Sequence, residues 1–195
     1  MPTDLAAAQR GLLDALHNGK LPRARLVEAV TRIVTLKQRL ASGAQPGLST
    51  VDTTEDRAAA ANVAAAGITV LRGACGQPLV RGPMRVASSD KWTKQRGWLS
   101  DALLGAGVPV VDSGGTVVGL VGYGDGDVVP AGSSVVVAID MPHVLCGAGA
   151  ATLVATYSSA QASMSALGAV LAGKAHAPGR SPVAVDGLPR SACSS

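Results

Sequence analysis

The feature that most constrains this chain is a set of short, continuously apolar, β-branched runs: TVVGLVGY at 116–123, SVVVAIDM at 134–141 and TLVATYS at 152–158. A strand with one wet face alternates apolar and polar residues, whereas a strand covered on both faces stays apolar throughout. Further strands are expected at 68–72 (ITVLR), 84–88 (MRVAS), 108–112 (VPVVD) and in the closing PVAV of 182–185. Between them lie segments of helical period. An Ala-rich stretch ends at Gly67, 92–106 carries Trp92, Leu99, Leu103 and Leu104, and 160–172 carries Met164, Leu167, Val170 and Leu171. Buried strands interleaved with helices predict an α/β class fold, a layered, mostly parallel sheet with flanking helices.

A helical hairpin precedes this domain. Residues 5–16 place Leu5, Ala8, Leu12, Leu13 and Leu16 on one face, with a stop at Gly19. A second helix starts near Pro22 and runs to about Leu40, with Leu26, Val30, Ile33, Val34 and Leu40 as its stripe. Two amphipathic helices cannot bury both stripes unaided, so the hairpin is expected to want a partner. The polar, Gly- and Pro-bearing segment 42–54 reads as a linker, which divides the chain into 1–41, 42–54 and 55–195. Thr53 and Asp56 have the spacing of a capping pair for the next helix.

Hydrophobic residues make up 47% of the 195 and charged ones 15%, enough for a real core. No uninterrupted apolar run is long enough to cross a membrane, and the first residues do not have the form of a signal peptide. The net charge of +4 comes partly from Arg10, Lys20, Arg23, Arg25, Arg32, Lys37 and Arg39, read as a solvated basic face. With no Phe and only two Trp and two Tyr, the platforms that stack bases are nearly missing, so nucleic acid is not expected as a partner. The odd count of cysteines, Cys75, Cys146 and Cys193, has no zinc spacing. A Cys75–Cys193 bridge in an oxidising compartment and three unrelated thiols both remain open.

Candidate chemistry is sparse. Asp140, His143 and Cys146 lie three apart at a strand end, where open α/β sheets bind ligands, but Pro142 breaks the register that would align them on a metal. The runs GLVGYGDGD and CGAGAAT lead towards strands rather than helix N-termini, so they read as turns, not phosphate loops. Ser158 and Ser159 end a strand before a helix as a nucleophile does in an α/β hydrolase. They lack the flanking glycines and a nearby His, and a capping role is expected instead. His17 and His176 read as helix-end and loop histidines. Asp90, Asp112, Asp125, Asp127 and Asp140 form no evident pair of the kind a glycosidase needs. No catalytic, cofactor or metal residue is assigned.

The most specific stretch is LAGKAHAPGRSPVAV at 171–185. Gly173 stands where a helix C-cap needs a left-handed residue, Pro178-Gly179 makes a turn, and Arg180 is expected to fork onto carbonyls or a carboxylate and lock the loop. Together with the preceding ATYSSAQASMSALGAV, these residues resemble the closing signature of the C-terminal domain of glycoside hydrolase family 3. Leu171, Gly173, Pro178, Gly179, Arg180, Pro182 and Val183 match in order, with Ser181 where Leu is common. AAAANVAAAGITVLR looks like the opening helix and strand of that domain, and the 12–40 hairpin resembles the end of the family's catalytic barrel. The lipoprotein β-N-acetylglucosaminidases of actinobacteria look most similar.

The resemblance implies a retaining hydrolase of β-linked N-acetylglucosamine, such as peptidoglycan fragments, that needs no cofactor and works outside the cytoplasm. Its barrel, with the Asp nucleophile and the Lys-His-x-Pro-Gly segment, has no counterpart here. Lys174 and His176 mimic that segment only superficially and receive no catalytic role. The implied reading is a truncated piece that is inactive alone; a stand-alone carbohydrate-binding or interaction module is the alternative.

Overall fold

The computed structural model describes residues 4–75, 78–125 and 128–193. They fall into two compact units, Met1–Val51 and Asp52–Ser195.

In the first unit, helix α1 (Leu5–His17) begins at Asp4, whose carboxylate accepts the Ala7 amide, and ends at Asn18. Gly19 takes the left-handed φ of 73° that the turn requires. Helix α2 (Arg23–Ala41) starts after Pro22. Neither helix buries a residue, and Leu12, Ile33 and Leu40 are 53%, 53% and 69% exposed. The surface pairs of Glu28 with Arg25 and Arg32 add little to stability.

The second unit runs α3 (Thr54–Gly67), β1 (Thr69–Arg72), β2 (Met84–Ala87), α4 (Thr93–Gly105), β3 (Thr116–Val121), β4 (Ser133–Ala138), β5 (Thr152–Ala155) and α5 (Gln161–Leu171). Helix α3 opens with the expected capping box: Thr53 Oγ1 accepts the Asp56 amide and Asp56 accepts the Thr53 amide. The sheet order is β1-β5-β4-β3-β2, with β2 to β5 parallel and β1 antiparallel to β5. The mostly parallel α/β sheet expected from the apolar runs is therefore present.

The pleat divides the core. Val86, Val118, Leu120, Val135, Val137 and Val154 meet Leu99 and Leu103 of α4 and Met164, Leu167, Val170 and Leu171 of α5. Burying each Leu or Met contributes about 2–3 kcal/mol. The alternate residues Leu71, Val121, Val136, Ala138, Leu153 and Ala155 form a second cluster on the opposite face. That face is closed by the 3₁₀ turn Pro142–Leu145 and by loop residues such as Val129 and Ala150. The runs are apolar throughout because both faces are covered, although only one is covered by helices.

Several details differ from the sequence expectations. Trp92 belongs to a 3₁₀ turn before α4, and Leu104 is 56% exposed, one position past the buried stripe of Leu99 and Leu103. Residues 108–112 form no strand. They make one bridge, Val110 to Met84, because Pro109 has no amide to extend the ladder. PVAV is likewise not a strand; its only pairing is the bridge of Val185 to Leu188. Ser181 bends the segment by donating its hydroxyl to Val183 O at 2.8 Å.

The segment 109–111 covers the β2 edge at Met84, and residues on either side of 182–185, Gly179 and Ala192, cover the β1 edge. On β1, Ile68 O accepts the Gly179 amide at 2.9 Å and Val70 O accepts the Ala192 amide at 2.7 Å. An open row of ladder groups there would invite pairing with another chain. Cys193, the next residue, is disulfide-bonded to Cys75, which follows β1, and this closes the open question of the thiols. Cys146 is free and exposed.

The closing loop repays the attention its sequence drew, with one correction. After α5, Gly173 at φ 73° completes a Schellman cap: its amide reaches Val170 O and the Lys174 amide reaches Ala169 O. Arg180, expected to lock the loop, is exposed and bonds to nothing among the described residues. Gly179 holds the loop instead. It lies so close to the start of β1 that a Cβ there would meet Thr69 Oγ1 at 2.3 Å and Gly67 O at 2.5 Å. Arg190 supplies the guanidinium, donating to Ser181 O at 2.9 Å.

Candidate functional site

Four parallel strands bring their C-terminal ends to one side of the sheet, where α/β folds place ligands. The loops that follow β2, β3 and β4 interlock there. Asp125 is the centre: its carboxylate accepts the Gly122 amide at 2.8 Å, the Ser89 hydroxyl at 3.0 Å and the Trp92 indole N–H. Asp140, after β4, accepts the amides of Tyr123 and Met141. Lys91 lies over the Trp92 ring and donates to the Tyr123 carbonyl. Gly122 has no room for a side chain, since a Cβ would meet Trp92 Cζ2 at 2.4 Å.

Burial pushes the Asp125 pKa up, but the Gly122 amide, Trp92 indole, Ser89 hydroxyl and Lys91 charge outweigh it and hold the carboxyl below its ordinary value. Asp125 is therefore an ionised acceptor at neutral pH and has no proton to give. Both carboxylates fasten the loop after β3, which presents Tyr123 at 68% exposure. Because the folded-state pKa is depressed, the stability this carboxylate adds is present above the unfolded value of about 3.9 and is lost as pH falls through the folded one. Asp125→Asn is expected to lower the unfolding free energy at pH 7 by about 1–2 kcal/mol, with the gap to the wild type closing on acidification. Urea midpoints measured at neutral and acid pH check this.

The remaining candidates do not converge. Pro142 enters the 3₁₀ turn, leaving His143 and Cys146 exposed while Asp140 turns back to the β3 loop. Asp90 and Asp112 are exposed, and neither side chain bonds into this network; Asp127 lies outside the described residues. Of the glycines in GLVGYGDGD, Gly119 lies within β3 and Gly122 and Gly124 in the loop after it, while Gly126 lies outside the described residues; Gly147 and Gly149 of CGAGAAT precede β5, and neither run leads into a helix. His17 ends α1, and His176 is exposed in the closing loop.

Ser158 does not cap α5. The N-cap is Ala160, which has no side chain for the task, and Ser158 Oγ accepts the Ala160 amide at 3.2 Å before the helix begins. Tyr157, just before it, takes a left-handed φ of 56° and buries its hydroxyl without a partner among the described residues. Trp92 and Lys91 carry no site signal in the sequence, because nothing local shows that a 3₁₀ turn after β2 will reach the loop after β3.

Compared with known proteins, the chain matches no family model and no curated protein. Solved structures do match. A glycoside hydrolase family 3 β-N-acetylglucosaminidase from Paenibacillus sp. is 22% identical with a TM-score of 0.55, over 89% of this chain and 42% of that one. The β-glucoside phosphorylase BglX is 20% identical with a TM-score of 0.56, over 90% and 41%. A fungal multi-domain family 3 β-N-acetylglucosaminidase is 13% identical with a TM-score of 0.62, over 95% and 26%. At these identities the likeness establishes the fold, an α/β arrangement found within family 3 glycoside hydrolases. The chain spans less than half the length of each.

Proposed function

We propose that this chain is the C-terminal portion of a family 3 glycoside hydrolase of β-N-acetylglucosaminidase type. The intact enzyme would hydrolyse terminal β-linked N-acetylglucosamine, as in peptidoglycan fragments, with retention. The observation that carries the reading is the fold shared with the Paenibacillus enzyme over 89% of this chain. The order of Leu171, Gly173, Pro178, Gly179, Arg180, Pro182 and Val183 agrees with it. In such an enzyme a carboxylate attacks the anomeric carbon, a proton donor assists departure, and water hydrolyses the glycosyl-enzyme. Asp125 and Asp140 are tied to backbone amides and fit neither role. They hold a rigid loop that would sit at the rim of the sugar site, with Tyr123 exposed on it. The disulfide favours an oxidising, extracytoplasmic location.

The experiment is an assay of the isolated chain on an aryl β-N-acetylglucosaminide. No release of chromophore above a buffer blank is expected, and turnover abolished by a substitution within 1–195 would overturn the reading of an inactive part. The alternative, a self-sufficient binding module, draws on the closed core of Asp52–Ser195. A stable monomer with saturable sugar binding would favour it. Self-association relieved by polar replacements at Leu12 and Ile33 would favour the severed enzyme.

A further inference from the structure

Strand β2 is an outer strand whose partner gives out halfway. Met84 bonds through both its backbone groups to the segment beyond α4, donating to Pro109 O and accepting from Val111 N, each at 2.9 Å. In a parallel ladder the outward-facing residues recur at every second position, so Val86 turns its amide and carbonyl the same way. No bridge continues past Val110, and a cavity of about 510 Å³ occupies the gap. Arg85 and Ser88 line it from the strand side, Thr93, Arg96 and Ser100 from one face of α4, and Asp112 from the far side.

Arg85 and Arg96 are the only arginines among the described residues that are not exposed. Neither pairs with a carboxylate among the described residues. A guanidinium cannot shed its proton, so two of them half-buried around one cavity carry a desolvation cost that an anion would offset. The hydroxyls of Ser88, Thr93 and Ser100 each donate to a backbone carbonyl, of Ser89, Asp90 and Arg96 respectively, at 2.8–2.9 Å. Their oxygens therefore remain as acceptors, as does the Asp112 carboxylate. Two half-buried arginines beside a row of acceptors suit a ligand that is negative at one end and rich in hydroxyl donors at the other.

We infer that this cavity binds a small hydroxylated anion of the sugar-acid or sugar-phosphate class, its charge on Arg85 and Arg96 and its hydroxyls on Ser88, Thr93, Ser100 and Asp112. The site does not depend on the glycosidase reading, and its test involves no turnover. Titration calorimetry on the whole chain with D-glucuronate, glucose 6-phosphate, glucose and inorganic phosphate separates the cases. Saturable binding of at least one of the two anionic sugars is expected, weakened about tenfold or more by Arg96→Gln or Arg85→Gln, with no binding of glucose. Ser100→Leu, which fills the cavity and spares both arginines, should also weaken binding; melting curves confirm that each variant is folded. Saturation by neither anionic sugar, or unchanged binding in the folded variants, overturns the site. Inorganic phosphate binding as tightly as the sugar phosphate overturns the assignment to sugars.

Discussion

Reducing the Cys75–Cys193 bond, or replacing Cys193 by Ser, is expected to lower the unfolding free energy of Asp52–Ser195 by about 4 kcal/mol. The bond spans 118 positions, so it removes much of the freedom of the unfolded chain. At about 2–4 °C per kcal/mol for a domain of this size, the melting temperature should fall by roughly 10 °C. A local consequence should accompany it. The Ala192 amide is held against Val70 O by the neighbouring cross-link, and its release leaves the β1 edge less protected. Urea unfolding with and without a thiol reductant measures the effect, and Cys146→Ser, at an exposed free thiol, is the control expected to change nothing. A loss below about 1 kcal/mol would show that the bond does not constrain the folded unit as described.

Replacing Gly179 by Ala is expected to cost about 3 kcal/mol. The new Cβ would sit 2.5 Å from Gly67 O and 2.6 Å from Ile68 O, and these backbone atoms can yield only if the start of β1 moves. That movement would also strain the bond from the Gly179 amide to Ile68 O. Arg180→Ala, one position on, should change stability by less than about 0.5 kcal/mol, since that side chain is exposed. The two midpoints side by side test which residue of the PGRSP segment holds the loop. Equal losses at both positions would restore the arginine to the role its chemistry first suggested.

The contrast between these neighbours shows where reading the chain succeeds. Arg180 has the more versatile side chain, so it draws attention in a sequence. Gly179 matters through the absence of one, which becomes meaningful only when β1 is known to pass within contact distance. The candidate site divides in the same way. That Asp125 and Asp140 follow apolar runs was legible, and strand ends are the right place to look. That both fasten one loop, and that Trp92 reaches across to Asp125, depends on β2, β3 and β4 lying side by side. Arg85 and Arg96 carried no local signal, being eleven positions apart on a strand and a helix.

What the amino-acid order determined by itself was local. Helical period, the Thr53–Asp56 cap, the Gly173 terminus and the β-branched runs each express what a residue and its near neighbours prefer, and these were realised where expected. Tertiary structure decided which extended segments became strands, because a strand exists only where a partner offers free backbone groups. Residues 108–112 and 182–185 have the composition of strands, but each carries a proline and makes a single isolated bridge. Residues 108–112 became a cover for the β2 edge and 182–185 a bend between the residues that cover β1, since a ladder is a property of two segments and a propensity is a property of one.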